Sequence, residues 1–275
     1  MPALSASDVQ FYQDHGYFAP VRALSAGEAG AVRAQLEAHE AAHGKLVGPS
    51  RHKTHLLFTW LDEMVRHPGI LDAVESLIGP NILLWGSSFF IKDGRDPGFV
   101  SWHQDSTYWG LDPADIVTAW VAVSESTVEN GAMRVIPGTH KMDQVPHRDT
   151  FAEGNLLSRG QEIAVDVDPA AAHTLVLQPG EMSLHHVRLI HGSDPNPSDR
   201  RRIGFAIRYL PTYVRQVVGK HDSATLVRGV DEYNNFHPER RPDADFSPAA
   251  RAFHAEVTGA HQQILMRDTG RVAAA

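Results

Sequence analysis

Short apolar runs rich in branched and aromatic residues occupy the middle of the chain and predict β-strands. Gly, Pro, Asn and Asp separate the runs, a spacing typical of a β-sandwich or barrel. The runs span 82–91, 116–123, 132–137, 173–179, 181–190 and 202–210. Together they predict a mostly antiparallel double sheet.

Helix signals flank these runs on both sides. Ser25 and Glu28 form a capping-box pattern, in which the serine oxygen accepts from the N3 amide and the glutamate reaches back to the N-cap amide. Gly44 is a suitable residue to end that helix. Further helices are predicted from Pro68 to about Gly79 and from Ser247-Pro248 onward.

No linker divides the chain, so we expect a single domain over residues 1–275. Its expected parts are a helical segment of about 1–80, a β core of about 81–218, and a polar lid with a C-terminal helix over about 219–275. The fold class expected from the pattern is mainly β with flanking α-helices packed around the sheets.

Composition narrows the functional classes. The 275 residues include no cysteine and 17 histidines, and the formal net charge is −8. Disulfides, thiolate metal sites and cysteine nucleophiles are excluded, and an acidic balance argues against nucleic acid as a partner. The sequence shows neither a signal peptide nor an apolar run long enough to span a membrane, so a cytoplasmic location is expected. The oligomeric state stays open.

Two strand-end segments carry candidate chemistry. The first contains His103, Gln104 and Asp105, and the second begins at His191. On an extended chain His-x-Asp places both side chains on one face, and a distant histidine would complete a facial set suited to non-haem Fe(II). Chance also produces His-x-Asp, so a buried hydrogen-bonded set without metal is the alternative.

The residues after His191 suggest an anion-binding edge beside that set. Ser193 follows closely, and Arg202 lies eleven residues past His191. Arginine holds a carboxylate through two parallel hydrogen bonds, and a hydroxyl adds a third. A metal with open positions next to such an anchor suits a 2-oxo diacid cosubstrate.

The segments HQDSTYWGLDPADIVTAWVAVSESTVENGAMRVIPGTH (103–140) and HGSDPNPSDRRRIGFAIRY (191–209) resemble the phytanoyl-CoA dioxygenase family of Fe(II)/2-oxoglutarate oxygenases. The resemblance covers roughly residues 80–210. It implies a double-stranded β-helix, also called a jelly roll and cupin-like, with Fe(II), 2-oxoglutarate and O2 as cofactor and cosubstrates. It also implies site residues: the iron ligands are His103, Asp105 and His191, and the 2-oxoglutarate contacts are Arg202, Ser193, Trp120 and Ser88.

Several neighbouring residues have two interpretations each. Gln104 contacts the cosubstrate side if its strand bends, and is structural otherwise. Tyr108 and Trp109 are either walls of a substrate pocket or core residues. Lys92 either contacts an anion or extends its amine to water from a sheet edge. His185 is expected to support the metal site through hydrogen bonds rather than bind the metal.

The activity implied by the resemblance is hydroxylation of an unactivated C–H bond, with release of succinate and CO2. Halogenating relatives have a small residue where this chain has Asp105, so a hydroxylase and not a halogenase is expected. The polar segment from Lys220 to Arg241 is predicted to be a lid, with Arg228 contacting a small polar or zwitterionic substrate such as an amine, amino acid, phosphonate or natural-product intermediate.

Three other functions remain open at this point. One is a non-catalytic barrel that binds a metal or a ligand. Another is a metal-dependent isomerase or hydrolase on a cupin-like barrel. The third is ferryl-driven desaturation or cyclisation in place of hydroxylation.

Overall fold

The protein is described here from a computed structural model covering residues 4–219 and 221–269. Ser25 caps its helix with the predicted capping box, and Gly44 ends it. Pro68 and Gly79 likewise bound a helix, and Ser247 caps the C-terminal one. The helices are α1 Ala6–His15, α2 Ala26–His43, α3 Thr59–Met64, α4 Pro68–Ile78 and α5 Pro248–Leu265. None of the helices in these ranges is long and apolar enough to cross a membrane.

The strands form two larger sheets. The seven-stranded main sheet has the order β1-β10-β5-β12-β2-β14-β15, and the four-stranded minor sheet has the order β3-β11-β6-β9. Two short pairs, β13-β4 and β7-β8, accompany them. The bounds are β1 Tyr17–Arg22, β2 Ile82–Lys92, β3 Val100–His103, β4 Leu111–Asp112, β5 Val117–Ala122, β6 Arg134–Val135, β7 His147–Asp149, β8 Gln161–Ile163, β9 His173–Thr174, β10 Glu181–His186, β11 His191–Ser193, β12 Arg202–Pro211, β13 Arg215–Gln216, β14 Ser223–Arg228 and β15 His237–Pro238.

The central strands of the main sheet present different residues on their two faces. In β12, Phe205 and Ile207 join the apolar cluster that includes residues of α2, α3 and α4. The alternate residues Arg202, Ala206 and Arg208 line a cavity on the other face. This follows from the two-residue period of a strand, and it directs both arginines of β12 away from the helices and toward the minor sheet.

The apolar run 181–190 does not form one strand. Its first part is β10 of the main sheet, the chain turns after His186, and His191 begins β11 of the minor sheet. The turn is stabilised by the Leu189 amide, which donates to the His186 carbonyl over 2.9 Å. The part about 1–80 is also not purely helical, because β1 pairs with β10 at the edge of the main sheet.

The prediction of a polar lid over 220–241 is wrong. Within that segment β14 pairs antiparallel with β2 in the main sheet, and β15 pairs with β14. The segment is therefore anchored to the main sheet through these strands, and no described residue of the segment lines the three cavities beside the candidate site. Lys220 lies outside the described residues.

Candidate active site

His103 and His191 are direct partners across β3 and β11, with ring centroids 4.1 Å apart. Each Nδ1 is held by the backbone carbonyl two residues upstream, at 2.9 Å from Ser101 O and 2.9 Å from Leu189 O. These bonds make each Nδ1 the donor and leave the Nε2 lone pair available for a metal. Burial lowers the pKa of His191 well below its usual value, which keeps the ring in its neutral, metal-binding form.

Asp105 completes the group directly after β3. One of its oxygens lies 3.3 Å from His103 Nε2, and one ligand atom from each of the three residues lies within 4.8 Å of the others. Burial alone would raise the carboxyl pKa of Asp105, but its neighbours His103, His191 and Arg208 lower it, so Asp105 is ionised. Two neutral imidazoles and one carboxylate are the donor set of non-haem ferrous oxygenases, and this triad fits iron binding.

The inner cavity lies between the two sheets and contains the triad together with the predicted cosubstrate anchor. Arg202, Ser193 and Trp120 all line it. Arg202 is 2% exposed, donates to the Gly131 carbonyl, and has no partner for its Nε within the described residues. Its guanidinium carbon lies 5.5 Å from the centroid of the Trp120 ring. A buried arginine with a free donor is suited to a carboxylate.

Lys92 is fully buried behind this anchor and does not reach solvent. Its Nζ donates to Ser193 Oγ over 2.7 Å and also to the carbonyl oxygens of Ser193 and Asp194. Because Ser193 Oγ accepts from the amine, its own hydroxyl hydrogen stays available to a ligand in the cavity. Burial, followed by the charge of Arg202, lowers the pKa of Lys92 to about 7.

The structure places Gln104 and Ser88 outside the inner cavity. The Gln104 amide donates to Arg188 O over 2.9 Å and accepts from the Val145 amide at 2.9 Å, so it fixes the loops behind the triad. Gln104 follows the end of β3 in an extended conformation, and its amide is bonded to these loops and not to a group in the inner cavity. Ser88 instead lines the next cavity outward, where it accepts from Arg208 over 2.9 Å.

That middle cavity adjoins the inner one, since both are lined by Phe90, Asp105 and Arg208. Tyr108 and Trp109 line it, as the wall interpretation predicts, and both are also packed. The Tyr108 hydroxyl donates to Asp149 over 2.6 Å, and the Trp109 ring packs 4.8 Å from Trp85.

An outer cavity of about 480 Å³ continues from the middle one. The two share walls from the 156–158 segment and from Leu265 of α5. The C-terminal helix, and not the polar segment before it, therefore flanks the route to the triad.

Arg228 does not reach any of these cavities. Its guanidinium donates to Asp72 over 2.7 Å and to Glu75 over 2.6 Å, so it ties β14 to α4. The prediction that Arg228 contacts the substrate is therefore wrong, because both terminal nitrogens of its guanidinium already donate to carboxylates.

Sequence reasoning missed Arg208, which lines both the inner and the middle cavity. A signal for it was available, since Arg208 is six residues after Arg202 and shares its strand face. His185 also lines the inner cavity, with Nε2 4.0 Å from Asp105 and no partner for Nδ1 within the described residues. Burial lowers its pKa to about 4, so it is a neutral neighbour of the triad.

Comparison with known proteins agrees with this geometry. The sequence model described as Phytanoyl-CoA dioxygenase (PhyH) matches residues 4–204. The chain belongs to the phytanoyl-CoA dioxygenase family. It is 34% identical over 159 residues to a "Probable alpha-ketoglutarate-dependent hypophosphite dioxygenase" of Stutzerimonas stutzeri, covering 56% of this chain and 54% of the relative. The chain spans about half the length of the curated relatives that it matches.

Solved structures extend the similarity to nearly the whole chain. The apo form of the non-haem monooxygenase ThoJ is 38% identical, with a TM-score of 0.83, and 94% of this chain and 96% of that chain are covered. CytC3 with Fe(II) and alpha-ketoglutarate is 27% identical, with a TM-score of 0.67, over 89% of this chain and 96% of that chain. The chain thus shares its mainly β fold with iron- and 2-oxoglutarate-dependent oxygenases.

Proposed function

We propose that this phytanoyl-CoA dioxygenase family member is a hydroxylase of a small polar or zwitterionic metabolite. The observation that carries the proposal is the single inner cavity in which the His103, Asp105 and His191 triad faces the Arg202 and Ser193 anchor. The two sheets around it are proposed to form a double-stranded β-helix. The likeness to the ThoJ monooxygenase supports an oxygenase, and the hypophosphite dioxygenase relative supports a small polar substrate.

The chain's own residues bind and orient the reactants. Ferrous iron held by His103, Asp105 and His191 would supply the electron-transfer steps that activate O2. Arg202 and the Ser193 hydroxyl hold the far carboxylate of 2-oxoglutarate, with Lys92 positioning the serine. The buried walls of the inner cavity exclude water from the reacting groups.

The overall reaction balances without another reductant. One oxygen atom of O2 enters the substrate C–H bond and gives an alcohol. The other enters 2-oxoglutarate, which loses CO2 and becomes succinate. Two electrons come from the C–H bond and two from the oxidative decarboxylation, which together reduce O2 fully.

The proposal of hydroxylation over halogenation rests on Asp105. Its carboxylate lies with the two histidine nitrogens in the triad, so it takes the coordination position that a halide would need. With Fe(II), 2-oxoglutarate, O2, chloride and the substrate, we expect an alcohol, and a chlorinated product would contradict this. A desaturated or cyclised product would show that the protein is an Fe(II)/2-oxoglutarate-dependent enzyme that catalyses a reaction other than hydroxylation.

The test begins with anaerobic addition of Fe(II) and 2-oxoglutarate to the protein. We expect a weak visible charge-transfer band, and its absence from folded, metal-loaded protein would refute the oxygenase. A metabolite library is then screened for succinate release, and the product is identified by mass spectrometry. A band without succinate release from any metabolite would favour a barrel that binds ligands without catalysis.

A further inference from the structure

Arg208 is a half-buried cation, and most of its donors have no partner among the described residues. Its Nη1 donates to Ser88 Oγ over 2.9 Å and lies 3.5 Å from Ala206 O, and its Nε has no partner in residues 4–219 and 221–269. The carboxylate whose charge affects it is Asp105, a triad member, and Arg208 forms no ion pair with it. Arginine has five N–H donors, so a half-buried guanidinium with so few acceptors, and with no ion pair to any described residue, has room for an anionic partner.

The position of Arg208 indicates where that counter-ion would lie. Arg208 lines both the inner cavity with the triad and the middle cavity next to it. Its guanidinium carbon lies 5.8 Å from the Phe90 ring and 5.7 Å from the Trp109 ring, so aromatic faces hold the group in place. The open side of the Arg208 guanidinium therefore faces the cavities, where the inner cavity with the triad meets the middle cavity.

The cosubstrate has a separate anchor. Arg202 and Arg208 lie on one face of β12, six residues apart, which is about 20 Å of strand. Arg202 has Ser193 and Lys92 beside it at one end of the inner cavity. Arg208 lies at the other end of the inner cavity and is therefore available to bind a second anion.

We propose that the primary substrate is an organic anion whose carboxylate or phosphonate pairs with Arg208. This rests on the proposed function and names the substrate class of that same site. The oxidised C–H bond lies within a few bonds of the acid group, because Arg208 borders the triad's own cavity. The body of the molecule is apolar where it meets Leu156, Leu157 and Leu265, which line both the middle and the outer cavity.

The test uses probes that share one benzyl group and differ in the head group, and its carboxylate and amide are matched in shape but not in charge. Phenylacetate, phenylacetamide and benzylphosphonate are titrated by calorimetry into anaerobic protein loaded with Fe(II) and 2-oxoglutarate. We expect the acids to bind at least tenfold more tightly than the amide, and the preferred acid to distinguish carboxylate from phosphonate. Equal binding of acid and amide, or no binding of either acid, would overturn the proposal.

Variants separate Arg208 from the cosubstrate site. Arg208→Met should weaken binding of the preferred acid at least tenfold and leave amide binding unchanged, with folding checked by circular dichroism. Arg208→Lys, which keeps the charge and loses the fork, should bind the acid with intermediate affinity. Arg228→Met is the matched control, because its guanidinium is paired with Asp72 and Glu75 outside the cavities, and should bind every probe as the unchanged protein does.

The 2-oxoglutarate titration distinguishes failure of this inference from failure of the proposed function. Arg208→Met should keep the charge-transfer band at the same 2-oxoglutarate concentration. A tenfold loss of 2-oxoglutarate affinity would assign Arg208 to the cosubstrate and overturn the inference, while the proposed oxygenase would stand. Absence of the band from the unchanged protein would instead remove the proposed function itself.

Discussion

His103 and His191 face each other as register partners on neighbouring antiparallel strands, and each ring is fixed by the carbonyl two residues before it. The same local geometry therefore occurs twice, once on each strand. It aims two Nε2 lone pairs at one point, beside Asp105. Preorganisation of this kind places the ligands before any metal arrives.

Removing one triad histidine should abolish iron binding. His103→Ala leaves one imidazole and one carboxylate, too few ligands to hold Fe(II) against water. We expect stoichiometric iron in the unchanged protein and almost none in the variant, measured by metal analysis after anaerobic gel filtration. His221→Ala, at an exposed histidine, is the control and should retain iron. A variant with full iron content would show that the triad is not the metal site.

Lys92 should control 2-oxoglutarate affinity through Ser193. Lys92→Met removes the amine that donates to Ser193 Oγ over 2.7 Å and that lies near Arg202. Leaving a buried polar group without its hydrogen-bond partner costs about 1–3 kcal/mol, so we expect 2-oxoglutarate to bind about tenfold more weakly, measured by anaerobic titration of the charge-transfer band.

Two further variants check this role of Lys92. Ser193→Ala should show the same direction of change, because Lys92 acts through that hydroxyl. Lys45→Met, at an exposed lysine paired with Asp93, should change nothing. Unchanged 2-oxoglutarate affinity in Lys92→Met would show that Lys92 has only a structural role.

Much of the site was predictable because its residues come from two continuous segments. His103 and Asp105 are two residues apart, and His191, Ser193 and Arg202 follow one another along the chain, so the resemblance named them together. The structure brings both segments to one cavity. Arg208 was not predicted although strand alternation from Arg202 reaches it, because a lone arginine in an apolar run carries no local sign of the cavities that it lines.

The lid prediction failed for a physical reason. Polar composition between 220 and 241 suggested a solvated loop, yet Glu239 has a side chain that is 0% exposed and ion-pairs with Lys53. A charged residue that pairs with a partner 186 positions away in the chain looks like a surface residue in the sequence. Local patterns cannot reveal such a pair, whereas the capping boxes and strand runs are local and were found.

Gly204 should be intolerant of any side chain. A Cβ there would lie 1.8 Å from Trp120, whose ring covers the glycine. Overpacking of a buried site costs about 1–3 kcal/mol, so Gly204→Ala should lower the urea midpoint and displace Trp120 from Arg202. Gly86→Ala, on the neighbouring strand, has its nearest contact at 3.9 Å and should stay close to the unchanged protein. Equal stability of both variants would contradict the close approach.

Stability should fall on mild acidification. Burial lowers the pKa of His52 to about 3 and that of His186 to about 4. Between these values and the unfolded value near 6.5, the unfolded chain binds more protons, so folding weakens as the pH falls through that window. The urea midpoint of metal-free protein should drop from pH 7 to pH 5, and His186→Gln should reduce the drop. A midpoint that rises on acidification would contradict this sign.

The buried Lys53–Glu239 pair should be essential for the segment once predicted to be a lid. Lys53 Nζ lies 2.6 Å from Glu239, and the same carboxylate accepts from Thr225 of β14 over 2.6 Å and lies 3.2 Å from His55 Nε2. Glu239→Gln leaves the lysine charge buried without compensation, which typically costs about 3–5 kcal/mol. We expect that loss in urea unfolding, with faster amide exchange confined to β14 and β15.

A second substitution separates the buried charge from simple loss of packing. In Lys53→Met/Glu239→Gln no ionised group remains, so the double variant should be more stable than Glu239→Gln alone, and the two effects should not add. Additive losses would mean that the pair does not interact in the way its geometry indicates. A mobile lid would predict fast exchange in β14 and β15 of the unchanged protein, whereas an anchored edge strand requires protection comparable to that of β2.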